Sequence, residues 1–157
     1  MYALTTMLAD TVNDATKQMW KTLQCDCELL GIQIVPSPHF SWFGCEDVNM
    51  VVFKKALKDL SCRLTEFSVN TVGLGLFTGN EPVVFIPIVK TKALIDAHEL
   101  IWNTLTPFCI KPNNYYSPDN WMPHITLAMH DLNPKSAACA VEKLLPMDFR
   151  FAVRVNH

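Results

Sequence analysis

Charge is what this sequence has least of. Only 18% of its 157 residues are Asp, Glu, Lys or Arg, and 13 basic side chains against 15 acidic ones leave a formal net charge of -2. A chain so close to neutral offers no strong field for long nucleic acid or for an anionic membrane. It also lacks any apolar run near the ~20 residues that a membrane span requires. The N-terminus, MYALTTMLAD, does not have the basic-then-apolar order of a secretory signal. Metal-finger spacing is missing too: Cys25, Cys27, Cys45, Cys62, Cys109 and Cys139 are scattered, with no C-x-x-C pair and no histidine at zinc-finger distance. The expectation is six reduced thiols in a cytoplasmic protein, with Cys27, Cys62 and Cys139 serving as small apolar side chains of helices. What the sequence does have is apolar mass. Half of its residues are hydrophobic, enough for one folded domain over 1–157 that needs no staples.

Periodicity divides the chain. Residues 2–8 read as a strand. Apolar residues at Val12, Ala15, Met19, Leu23, Cys27 and Leu30 then follow the helical three-four rhythm, with Asp10 placed to cap the start and Gly31 just past the end. An aromatic-rich strand lies within residues 35–44. A second helix fits 47–60 through Val48, Val52, Ala56 and Leu60. EFSVNTVGLGLFTG and PVVFIPIVKT read as strands of a hairpin around a Gly-Asn turn. A third helix fits 92–106, a proline- and asparagine-rich loop 107–121, a strand MPHITLAM, a fourth helix 134–145 and a last strand DFRFAVRV.

Written as a pattern, the chain says the same thing twice: strand, helix, strand, helix, strand, with repeat one over about 1–78 and repeat two over about 82–157. PHFS in the first copy matches PHIT in the second. A strand alternates its side chains, so His39 and Ser41 share one face, as do His124 and Thr126, each pair roughly 7 Å apart along its strand. If the copies pack about a pseudo-twofold axis, two imidazoles and two hydroxyls converge on one cleft. Histidine is the side chain best able to serve as base or acid near neutral pH, and hydroxyls can donate to the oxygens on which negative charge accumulates. Such a set suits displacement at phosphorus without a metal.

The doubled PHFS and PHIT motifs resemble the paired H-x-[ST] motifs of the two-histidine (2H) phosphoesterase superfamily. MYALTTML, LGLFTG, SPDNWMPHITLA and FRFAVRV resemble its bacterial 2'-5' RNA ligase-like group, over essentially the whole chain. The resemblance implies a bilobed α+β fold with antiparallel sheets lining a central cleft. It implies hydrolysis of 2',3'-cyclic phosphate ends of RNA or of small nucleotides, no cofactor or metal, and reverse 2'-5' ligation as a further capability. In the family the first histidine is the usual proton donor and the second the acceptor, so His39 would protonate the leaving oxygen and His124 activate water. Ser41 and Thr126 would hold the phosphate. Where RNA-ligating relatives often carry an arginine after the second motif, this strand has Met129, and the chain ends at His157 where the first copy continues into LGLF; short substrates are favoured over long RNA.

Other readings stand beside these. Tyr115, Tyr116 and Trp121 adjoin the second motif on a loop where a base could stack on them, or where they simply pack. Trp42 is expected to face the core, His98 to lie in the apolar stripe of the third helix, and His130 on the surface. His39, His124 and His130 could alternatively ligate a metal, a set that leaves the paired hydroxyls unexplained. Two other functions use the same cleft: hydrolysis of linear 2'-5' or 3'-5' diesters, and nucleotide binding without turnover. A monomer is expected.

Overall fold

Apolar spacing and local caps decide the helices of the computed structural model, which describes residues 1–155. Helix α1 (Asp10–Cys27) buries Val12, Thr16, Met19, Leu23 and Cys27, the expected stripe. It starts after Ala9 without a side-chain cap, so Asp10 is its first residue and not its N-cap. It stops at Cys27, where Glu28 turns left-handed (φ 58°) and returns its N–H to the Leu23 carbonyl. Helix α2 (Met50–Ser61) starts later than residue 47, capped by the Asn49 side chain on the Val52 N–H. The reason is that Val48 still belongs to the preceding strand, and the buried stripe is Phe53, Ala56 and Leu60. Helix α3 (Lys92–Leu105) is capped by Thr91, and α4 (Pro134–Leu144) by a reciprocal Asn133–Ser136 capping box.

Eight strands complete the α+β fold: β1 (Tyr2–Met7), β2 (His39–Val48), β3 (Phe67–Asn70), β4 (Gly75–Phe77), β5 (Val83–Pro87), β6 (Cys109–Pro112), β7 (His124–Met129) and β8 (Ala152–Val155). They form antiparallel sheets in the orders β1-β2-β6, β4-β5-β7 and β3-β8. The expected hairpin is β4–β5, but its first arm is split: the expected single strand is β3 and β4, and β3 pairs with β8 instead. Strand β6 lies inside the segment expected to be loop. It is four residues long and pairs only with the far end of β2, too short for a period-two signal.

The register carries the duplication. Met7 faces His39 and Thr5 faces Ser41; Pro87 faces His124 and Phe85 faces Thr126. In both pairs the ladder then slips by one residue, leaving Trp42 and Leu127 as bulges directly after the hydroxyl residue. The closing strands, FSVN in β3 and AVRV in β8, pair with each other, and Val69 lies opposite Val153. Both valines are buried, where the closing strands of the two halves meet.

Helices cross between the halves. α3 packs beside α2 on β2, while α1 packs beside α4 on β7, so each lobe takes its first helix from the other repeat. A single cluster of buried apolar residues, from Leu8 to Val155, runs through both lobes.

The cysteine expectation fails at one pair. Cys27 at the end of α1 and Cys139 in α4 form a disulfide, while Cys25, Cys45, Cys62 and Cys109 are free thiols. The packing of α1 on α4 brings together two residues 112 apart in sequence. Cysteine usage therefore no longer argues for a reducing compartment. No helix among the described residues is long and apolar enough to cross a membrane.

Candidate active site

Each histidine opens its strand directly after a proline, and the proline peptide carries the structural point. The Nδ1 of His39 lies 3.0 Å from the Ser37 carbonyl, and that of His124 lies 2.7 Å from the Met122 carbonyl. In both motifs the partner is two residues back, across the proline. A carbonyl only accepts, so in each ring Nδ1 carries the proton and Nε2 is left with a lone pair in the neutral form. The motif thus sets the tautomer as well as the position.

Ser41 and Thr126 follow on the same strand faces, half-buried like the histidines, while Phe40, Trp42, Ile125 and Leu127 go into the core. All four polar residues line one cleft of about 250 Å³, whose remaining walls are Trp20, Ile32, Val35, Val83, Tyr116 and Met129. The structure brings His39, Ser41, His124 and Thr126 together as their spacing suggested.

Beside each motif the strand has, among the described residues, no further strand partner on its outer side, and tryptophans take the carbonyls of the hydroxyl residues there. The Trp121 indole N–H donates to the Ser41 carbonyl at 2.9 Å, and the Trp20 indole N–H, from α1, donates to the Thr126 carbonyl at 3.0 Å. Matching carbonyls in the two motifs are thereby held by indoles from different parts of the chain. His98 adds a second tie below the first motif: its Nε2 lies 3.2 Å from the Trp42 carbonyl, and its ring stacks on Trp121 at 3.7 Å between centroids. His98 is 2% exposed, and burial pushes its pKa down to about 4. It is a buried neutral histidine.

The aromatic candidates separate. Tyr116 reaches the cleft, its ring lying against Gly44, where a Cβ would come within 2.8 Å of it. Tyr115 is 81% exposed and stands outside the lining. Trp121 is 2% exposed, covered by His98 on one side and stacked with Trp42 at 5.3 Å, so it has no face to offer a base. Its role is to hold the Ser41 backbone. His130 is exposed and left-handed (φ 73°), and it does not line the cleft.

Two residues that sequence reasoning passed over shape the site. The Asp131 carboxylate accepts the N–H groups of Leu30 and Gly31 at 2.6 and 2.7 Å, fixing the 3-10 turn Gly31–Ile34 beside the end of β7. That carries Ile32 and Val35 to the cleft wall; a Cβ on Gly31 would run into the Met129 carbonyl. Phe77, from β4, meets the His124 ring edge-on at 5.1 Å, and Phe85 meets it at 5.0 Å. Burial holds the His124 pKa below the usual histidine range, partly offset by the bond to the Met122 carbonyl, with nearby His39 adding to the lowering. Among the described residues His39 makes no such aromatic pair.

A model of the 2'-5' RNA ligase superfamily matches residues 10–157, nearly the whole chain. The chain belongs to that superfamily. The superfamily is part of the 2H phosphoesterases, so the two-lobed antiparallel architecture and the two histidine motifs have their family explanation. Membership supports a phosphoesterase or ligase-like activity on RNA or nucleotides. No curated protein matches the chain. In this 2'-5' RNA ligase superfamily member, Phe77 and Phe85 pack against His124 and the remaining cleft walls are mostly apolar.

Proposed function

We propose that the protein is a metal-independent phosphodiesterase that opens 2',3'-cyclic phosphates by acid–base catalysis between His39 and His124. The observation that carries the reading is the pair of imidazoles lining one cleft, each with Nδ1 committed to a carbonyl and Nε2 free to exchange a proton. Burial favours the neutral form of His124, which suits the base. His124 takes a proton from water as the water oxygen bonds to phosphorus. The bond from phosphorus to one ring oxygen breaks, and His39, as imidazolium, gives that oxygen its proton. Ser41 and Thr126 donate hydrogen bonds to the non-bridging oxygens. The product is a phosphate monoester beside a free hydroxyl, and exchange with solvent restores both rings. Run forwards with a ribose hydroxyl in place of water as the nucleophile, the same step joins two ends; run backwards, it splits that linkage into a cyclic phosphate and a free hydroxyl.

No carboxylate or thiolate lines the cleft beside the histidines, and the hydroxyls have a direct use at phosphorus. The test is turnover of 2',3'-cyclic nucleotides with EDTA present. Undiminished hydrolysis is expected. No hydrolysis by the folded protein, or activity that returns only with added zinc or manganese, would overturn the proposal.

A further inference from the structure

The cleft has no cation. Its lining holds four polar and six apolar side chains, and no lysine or arginine. The segments that carry or adjoin lining residues in sequence extend this: 30–38 (LGIQIVPSP), 78–82 (TGNEP), 113–123 (NNYYSPDNWMP) and 130–133 (HDLN) contain Glu81, Asp119, His130 and Asp131 but none of the chain's 13 basic residues. The nearest cations along α1 are Lys17 and Lys21; both are exposed and neither lines the cleft. Lys111 is paired with Glu46 at 2.7 Å.

Taking the cyclic phosphodiesterase reading as its basis, we infer that the substrate is a small, singly charged cyclic phosphodiester of mononucleotide size, and not the end of an RNA strand. Three observations converge on this. The cleft volume of about 250 Å³ lies at the small end for ligand sites, which run from roughly 300 to 1,000 Å³. A strand end brings one further phosphate per nucleotide, and affinity for such chains rests on lysine and arginine neutralising them. Among the residues that line this cleft there is no lysine or arginine to do so. The apolar walls suit the uncharged remainder of a small ligand: Ile32, Val35, Val83 and Met129 for its body and Tyr116 for stacking. Ring opening also raises the charge, since a cyclic diester carries one negative charge and its monoester product carries about 1.5 to 2 at neutral pH. A cleft without a fixed cation accepts the former and retains the latter poorly.

The experiment compares kcat/KM for a 2',3'-cyclic mononucleotide and for an eight-residue RNA ending in the same base and the same cyclic phosphate, across salt concentrations. The mononucleotide is expected to be turned over at least as efficiently. The salt dependence for the octamer is expected to be flatter than the slope of about -0.7 that one neutralised phosphate of a single strand produces. A preference for the octamer above about threefold, or a slope of about -1.4 or steeper, which reports two or more phosphate contacts, would overturn the inference. If neither substrate is opened, the parent proposal fails first, and the two failures are thereby distinguished. A Glu81→Lys variant sharpens the result: it should improve the octamer, with a steeper salt slope, and leave the mononucleotide unchanged. Equal rates for the octamer in both proteins would show that charge beside the cleft is not the discriminator.

Discussion

Set side by side, the two halves of the cleft share their frame and differ in what surrounds it. In both, a proline precedes the histidine, Nδ1 bonds the carbonyl two residues back, the hydroxyl follows two positions on, a bulge comes next and an indole holds the carbonyl of the hydroxyl residue. The surroundings diverge. His124 packs against the stacked rings of Phe77 and Phe85, on a sheet whose central strand, β5, is flanked by β4 and β7. His39 lies on the central strand of the other sheet, where β1 is at the edge among the described residues. The helices of the β7 lobe are cross-linked by Cys27–Cys139 and by the Lys143–Asp26 ion pair; α2 and α3 on the β2 side rely on apolar packing. In the proposed mechanism the two motifs supply one proton-transfer group each, and the burial that favours neutral His124 suits it to the role of base.

The shared frame is broken most severely at the rings. His39→Ala or His124→Ala should each lower kcat for a cyclic nucleotide by roughly 10²–10⁴, the usual weight of a proton-transfer group. The double variant should be little worse than the worse single, because acid and base act in one step. Ser41→Ala and Thr126→Ala each remove one hydrogen bond to a charged oxygen. They should lower kcat by about 10²–10³ at most, without changing the shape of the pH profile.

The unequal parts predict smaller effects. Reducing Cys27–Cys139 should lower stability by about 2–4 kcal/mol, since it frees a long loop, and denaturation with and without reductant measures this. His98 tests the support under the first motif. Its folded pKa of about 4 lies below the ordinary 6.5, so the unfolded chain binds the extra proton. Stability is full above pH 6.5 and declines as pH falls towards 4, by up to about 3 kcal/mol. The stability difference between wild type and His98→Gln should therefore shrink over that window. Phe77→Ala should open His124 to water and move the acidic limb of the kcat/KM profile upward, towards the ordinary histidine value.

Much of this was legible because it is local. Strand alternation placed His39 with Ser41 and His124 with Thr126, three-four spacing gave the helices, and the matching motifs gave the duplication. What was not legible depends on distant packing. The bulges at Trp42 and Leu127 fall after the diagnostic triplets and leave no mark on a period-two pattern. Trp121 looked available on a polar loop, yet the unpaired Ser41 carbonyl and the face of His98 claim it. Tryptophans near a strand expected to have free carbonyls were the usable signal. The Cys27–Cys139 pair follows from α1 crossing to the other lobe, which element order alone does not dictate.

The central claim, one frame in two environments serving one phosphate, is tested most directly by nitrogen NMR of the two imidazoles through a pH titration, with and without a nucleoside 2'-monophosphate at millimolar concentration. Both rings should show the Nδ1–H tautomer when neutral, His124 should titrate below the ordinary histidine value, and the phosphate should perturb both Nε2 resonances together. An Nε2–H tautomer in either ring, or a phosphate that perturbs only one of them, would contradict the account.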